Sequence, residues 1–201
     1  MPRSGFRFDE HSGVRILRLW SEDGTNRMTR ECVLSLTDAV AKVALENQPL
    51  VLAGNDRFFS AGADLNEISV LDASTAYEFS KMGQTLMTAI ASFPAPVYAA
   101  ISGYCMGGGL DLALACHHRI ASPHAVFGHR GAALGLMTGG GGTQRLPRLI
   151  GKGGALDWLM AAEKVTASQA LRMRLVDRIA VDPVGEALHR IAQGPAGSRF
   201  R

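Results

Sequence analysis

Two short runs without a single charged side chain, PLVLA (Pro49–Ala53) and VYAAI (Val97–Ile101), constrain the fold more than any other feature of this chain. A strand with one solvated face alternates apolar and polar residues. These runs do not, so both read as strands buried on two faces, the pattern of a parallel sheet covered by helices. Between Thr29 and Glu46 the apolar positions Val33, Leu36, Val40, Val43 and Ala44 recur at helical spacing, with Thr29 as N-cap. Ser74–Phe93 is again helical, and LDLALAC (Leu110–Cys116) is an apolar helix opened by three glycines. VRILRLW (Val14–Trp20) alternates apolar and basic residues as a half-exposed strand does, and Asp23-Gly24 marks a turn after it. Strands alternating with helices give an α/β fold with parallel sheets and right-handed crossovers. Further on come helical segments at Ala155–Ala161 and Ala167–Met173, a strand-like Val176–Val181 and a last helix near Val184–Ala192. The polar tail QGPAGSRFR reads as frayed.

Composition narrows the class. The 201 residues are 47% hydrophobic and suffice for one domain, residues 1–201, with its core at about 14–181. Lys and Arg number 21 against 18 Asp and Glu, a net charge of +3, and no run gathers five or six like charges. A nucleic-acid partner is therefore not expected, whereas a modestly anionic small molecule is compatible. Cys32, Cys105 and Cys116 are odd in number and lack C-x-x-C spacing, which suits reduced thiols in a cytoplasmic setting. Met82–Leu110 is uncharged throughout, but Pro94, Pro96 and five glycines punctuate it, so a strand, a loop and a helix start are expected there and no membrane span. The N-terminus has no apolar stretch of the signal-peptide kind. Neither G-x-x-x-x-G-K-[ST] nor G-x-G-x-x-G occurs, and H-E-x-x-H and G-x-S-x-G are also missing. Cys116-His117-His118 is a poor metal site, because adjacent side chains diverge and no carboxylate is near in sequence, so no metal is expected.

Fourteen of the 23 glycines fall between Gly103 and Gly154. Two loops stand out: SAGADL (Ser60–Leu65) after the first buried strand and GYCMGGG (Gly103–Gly109) after the second. In open parallel sheets, loops at the carboxyl ends of strands form the ligand crevice, and helices beginning there aim free N–H groups into it. If the Ala63 and Gly108 N–H groups converge on one oxygen, they form an oxyanion hole. The alternative is a pair of small-residue turns that permit close packing. Asp111 bears on the choice, being the only charged residue between Lys81 and Arg119. A carboxylate inside an apolar helix must be paired, hydrogen-bonded or protonated, and each state makes it an acid/base candidate. A structural role is the alternative, with Arg119 or Arg130 as partner.

These blocks, together with ISGYCMGGGLDLALA (Ile101–Ala115), Phe127-Gly128 and LGLMTGGGGTQRLPRLIG (Leu134–Gly151), resemble the signature of the crotonase superfamily, the enoyl-CoA hydratase/isomerase family. The resemblance covers about Val14–Val181. It implies a spiral of ββα units, an acyl-CoA thioester as substrate and partner, coenzyme A as part of that substrate with no separate cofactor, and a homo-oligomer, trimer or hexamer. Position by position, Ala63 and Gly108 match the two oxyanion donors, with Gly107 preceding the second. Ala61, Gly62, Ala63, Asp64 and Leu65 match the loop along the CoA adenine and pantetheine. Thr25 and Asn26 fall at the family's first CoA-contacting turn, and Tyr104 matches a residue lining the same crevice.

The acid/base positions carry over incompletely. The family's hydratases place one glutamate where this chain has Asp111 and another where it has Gly131. Adding water across a double bond calls for activating the water and delivering a proton to carbon. One carboxylate must then do both, or a neighbour substitutes: His129 and Arg130 adjoin the gap, and His129 is the better base by its ordinary pKa. A surface or strand-edge histidine is its alternative. The family continues into C-terminal helices that cap the acyl pocket, so the resemblance predicts a shortened helical region here and a wetter pocket. Two functions follow as expectations: an acyl-CoA enzyme working through a thioester enolate, or a weak or inactive acyl-CoA-binding relative. Leu71, Met82, Met87, Leu134, Leu136 and Met137 fit either a tail pocket or the core, and each alone suits the core better.

Overall fold

A computed structural model of the protein describes residues 3–194. Its first two strands, β1 (Ser4–His11) and β2 (Val14–Ser21), form an antiparallel hairpin in which Ser4 faces Ser21 and His11 faces Val14. The two-residue loop between them, Ser12-Gly13, has φ of 52° and 77°. Positive φ at both positions gives the turn whose twist matches that of the strands it joins.

The chain then repeats one plan. A strand of a large sheet is followed by a short strand of a different sheet and by a helix. β2 leads to β3 (Arg27–Met28) and α1 (Arg30–Ala44); β4 (Leu50–Ala53) leads to β5 (Phe58–Ser60), β6 (Gly62–Ala63), α2 (Leu65–Ser69) and α3 (Ala73–Ala91). β7 (Val97–Ile101) leads to β8 (Tyr104–Met106) and α4 (Gly108–Ala115); β9 (His118–Ala121) leads to β10 (Val126–Gly128), a 3-10 turn (Ala132–Leu134) and α5 (Gly142–Ile150). After α6 (Lys152–Ala161) come β11 (Lys164–Thr166), α7 (Ala167–Arg172), β12 (Arg178–Ile179) and α8 (Pro183–Ala192). The large sheet has the order β1-β2-β4-β7-β9-β12, parallel beyond the hairpin. A second sheet, β11-β10-β8-β5, collects the short strands, and β3 pairs with β6. This is an α/β fold of the expected ββα kind.

Every residue of β4 and of β7 is buried. Alternation sends Leu50, Leu52, Val97, Ala99 and Ile101 to one side, into a core shared with α1, α3 and α4. Val51, Ala53, Tyr98 and Ala100 go to the other, where Ala187 of α8 and its neighbours Val184, Leu188 and Ile191 cover them. Side chains set the helix starts. The Thr29 hydroxyl accepts from the Cys32 N–H at α1, and Asp72 with Thr75 forms a reciprocal capping box at α3. Asp182, followed by Pro183 in the first turn, caps α8 by accepting from the Gly185 N–H. α4 begins at Gly108, two residues earlier than its apolar pattern implies, because Gly107 adopts φ 51° and breaks the preceding strand there. The strand expected at Val176–Val181 is only β12, since Leu175 and Val176 are buried in the loop that precedes it. The expected frayed tail lies largely outside the described residues.

Candidate active site

The end of β6 and the beginning of α4 touch. Gly62 has φ 92°, and a side-chain carbon on it would fall 2.6 Å from the Met106 carbonyl oxygen and 3.0 Å from the Gly108 nitrogen. Only glycine fits that approach. A side-chain carbon on Gly108 would in turn sit 3.4 Å from the Ala63 nitrogen, so the two backbones named in the sequence are neighbours. Gly107 fixes the helix start by donating to the Gly128 carbonyl (2.9 Å) and accepting from the Asp111 N–H (3.0 Å). Gly108, as the first residue of α4, has an N–H with no partner inside the helix.

Ala63 and Gly108 open onto a cavity of about 480 Å3. Its polar edge is Asp111, one turn along α4 from Gly108, with His129, Arg130, Gly131 and Thr138. The rest is apolar. Leu71, Met82, Met87, Leu134, Leu136 and Met137, each expected singly in the core, all line this cavity, and Leu134 and Met137 are 58% and 63% exposed. Met87, 2% exposed, is also part of the core and Met82 packs against it, as expected, whereas Leu134 and Met137 lie off the core on the cavity wall. Met28 and Met106 add to the wall, so five of the eight methionines lie here.

Asp111 is 3% exposed, and its partners are neither Arg119 nor Arg130. Its Oδ2 accepts from the Thr138 hydroxyl at 2.6 Å, and its Oδ1 lies 3.3 Å from His129 Nε2. An ionised carboxylate only accepts, so against it Nε2 is the donor. Arg119 turns away to the Leu175 and Cys116 carbonyls and to Asp177, while Arg130 is exposed. His129 is 6% exposed, which overturns its reading as a surface histidine. β10 ends one residue before it and delivers it beside α4. Thr138 was missed by the sequence reading, although it directly precedes four glycines. Those glycines are the usable signal: a side-chain carbon on Gly140 would lie 2.6 Å from Asp111 Oδ2, so this loop must be bare backbone to close over the carboxylate.

Of the expected substrate-binding residues, Ala61, Ala63, Leu65, Gly107 and Gly131 line the cavity, whereas Thr25, Asn26, Gly62, Asp64 and Tyr104 do not. Tyr104 lies away from this cavity, partly exposed at the start of β8. It sits two residues, about 6.6 Å, before Met106 on β8 and packs against Phe58, with Lys164 Nζ 5.3 Å from its ring. Asn26 is buried and donates to the Phe58 and Phe59 carbonyls, while its own carbonyl accepts from the Ser60 hydroxyl. The Thr25 carbonyl accepts from the Ala61 N–H, and Asp64 caps α2. These residues brace the loop that carries Ala63. The thiol of Cys105, beneath α4, is pushed well above its usual pKa by complete burial and by nearby Cys116 and Asp111. Cys116 and His117 are engaged with the Leu112 carbonyl and the Val97 N–H. No group of metal-binding side chains occurs among the described residues, and none of their helices is long and apolar enough to cross a membrane.

Comparison with known proteins gives this geometry its context. The chain is 39% identical over 176 residues to the crotonyl-CoA hydratase of Syntrophomonas wolfei, covering 85% of this chain and 67% of that protein. It is 41% identical over 172 residues to the fatty acid oxidation complex subunit alpha of Shewanella halifaxensis, covering 82% of this chain and only 24% of that much longer one. The crystal structure of an enoyl-CoA hydratase from Bacillus anthracis superposes with a TM-score of 0.89 at 30% identity, covering 94% of this chain and 76% of the other. Residues 9–193 match the family model for enoyl-CoA hydratase/isomerase, and the chain belongs to that family.

Proposed function

We propose that this protein binds an acyl-CoA thioester with its acyl chain in the methionine-lined cavity and acts on it through a thioester enolate. The observation that carries this reading is the adjacency of Ala63 and Gly108 at the cavity mouth, with Asp111 one helical turn away. In this reading the thioester oxygen accepts from both N–H groups. Charge that develops on that oxygen as the enolate forms is met by fixed dipoles, each contributing about 3 kcal/mol to the transition state. Asp111, on the wall of the same cavity, is then placed to take part in the proton transfers by which this enolate forms and collapses. The apolar wall excludes water from the chain and strengthens these interactions. Hydration of an enoyl-CoA and migration of its double bond both proceed through this enolate. The relative named crotonyl-CoA hydratase supports hydration, while a glycine at position 131 removes one of the two carboxylates the resemblance assigns to it.

The test is turnover of crotonyl-CoA and longer enoyl-CoA thioesters, followed by loss of the conjugated ultraviolet absorbance, alongside calorimetric titration with acetyl-CoA. The wild type should turn over and Asp111→Asn should lose at least about 100-fold in rate while still binding acetyl-CoA. Tight binding without turnover of any enoyl or isomerisable substrate identifies an acyl-CoA-binding relative instead. Failure to bind acetyl-CoA sinks the reading.

A further inference from the structure

We infer that His129 is the second acid/base group of this site, working as a pair with Asp111, and that Thr138 positions the carboxylate. The inference rests on the acyl-CoA reading above and assigns the proton chemistry within it. Three observations converge. First, Asp111 and His129 are both nearly fully buried, both line the cavity, and meet at 3.3 Å between Oδ1 and Nε2. Second, the position where the resemblance places the other carboxylate is closed: a side-chain carbon on Gly131 would sit 2.7 Å from the Leu136 carbonyl oxygen. The N–H groups of Leu134 and Leu136 both donate to the Gly131 carbonyl at 2.8 Å, so the loop is wound tightly around that residue. Third, Arg130, the other residue beside the gap, is exposed and carries a guanidinium that does not give up its proton at physiological pH.

The pair supplies both proton transfers that hydration needs. Asp111 as carboxylate takes a proton from water while the water oxygen bonds to the β-carbon. The π-electron pair moves onto the thioester, and the enolate oxygen is held by Ala63 and Gly108. His129 as imidazolium then gives its Nε2 proton to the α-carbon as the enolate collapses. The proton left on Asp111 crosses the 3.3 Å contact to Nε2, which restores the starting pair. One water is consumed, and the net charge is unchanged. Throughout, the Thr138 hydroxyl holds Oδ2 at 2.6 Å, which leaves Oδ1 facing the imidazole.

The experiment compares wild type, His129→Ala, His129→Gln and Asp111→Asn in full-length protein, with acetyl-CoA affinity and thermal melts measured for each. His129→Ala should keep acetyl-CoA affinity and KM while kcat falls by at least about 100-fold. Imidazole added to the buffer should restore part of that loss in a saturable way, because it enters the space the side chain vacates. His129→Gln, which still offers a donor to Asp111 and has no proton to give, should stay slow and resist rescue. Rates near wild type in both variants overturn the proposal, and so does a loss that imidazole never restores, which assigns His129 a packing role. A wild type that binds acetyl-CoA without any turnover removes the acyl-CoA enzyme reading and this pair with it. That failure is distinct from one confined to the His129 variants.

Discussion

Replacing Thr138 by valine tests whether the buried carboxylate depends on a single hydroxyl. Valine keeps the shape of the side chain and removes the donor that lies 2.6 Å from Asp111 Oδ2. A hydrogen bond to a charged group contributes about 1.5–3 kcal/mol. Asp111 is buried, but Thr138 is only half-buried, so water replaces part of what is lost. The expected destabilisation is therefore at the lower end, about 1.5 kcal/mol. In a domain of this size each kcal/mol lowers Tm by about 2–4 °C, which gives a fall of about 3–6 °C. Thermal melts at neutral pH should place Thr138→Ser, which retains the hydroxyl, close to wild type. In the Asp111→Asn background the valine should cost less, with a coupling of about 1 kcal/mol between the two sites. The reasoning is refuted if Thr138→Val melts with wild type, or if serine falls as far as valine.

Three further outcomes are expected. Gly140→Ala pushes a methyl group against Asp111 Oδ2, which a carbon there would approach to 2.6 Å, so it should reduce turnover and melting temperature together, whereas Gly153→Ala, in α6 with nothing within 4 Å, should leave turnover unchanged and raise the melting temperature slightly. The Asp23 carboxyl is held down to about 2, from 3.8, by hydrogen bonds from the Thr25 hydroxyl and then the Thr25 N–H. A depressed folded-state value adds stability that is fully present above the unfolded value and lost as pH falls toward 2, so an NMR titration of Asp23 should show its midpoint near 2, and any stability gap to Asp23→Asn should close over that window. Burial raises the Cys32 thiol to about 11 and Cys116 to about 12, and lifts Cys105 as well, so iodoacetamide at mildly alkaline pH should leave all three untouched in native protein and modify all three in denaturant.

The parts of the fold that the sequence revealed are those where one local signal suffices. Val97–Ile101 is bounded to the residue, because an apolar run between Pro96 and a Gly-containing loop has no alternative register. β1 was not read, since SGFRFDEH is mostly exposed and its order comes from pairing with β2 along its whole length. Asp111 announced itself as a carboxylate alone in an apolar stretch. Its partners did not, because His129 and Thr138 arrive from 18 and 27 residues away, and nothing local says that the loop over the carboxylate must fold back. Charge complementarity favoured Arg119, yet that side chain meets three acceptors beside the start of β9 and stays there. Leu71, Met82, Met87, Leu134, Leu136 and Met137 are individually ordinary, and their shared place on the cavity wall depends on a gap between elements that no periodicity encodes.

One face of the central sheet is covered by α8, the last helix along the described residues. While the chain is being synthesised, Ile16, Val51, Ala53, Tyr98, Ala100 and Ile120 are all made before the helix that shields them. A nascent chain lacking residues 183–192 therefore presents an apolar strip four strands wide, the kind of surface that chaperones bind and that drives aggregation. Closure of this face of the sheet waits on residues 183–192, and that face is most vulnerable to self-association in the interval just before they emerge.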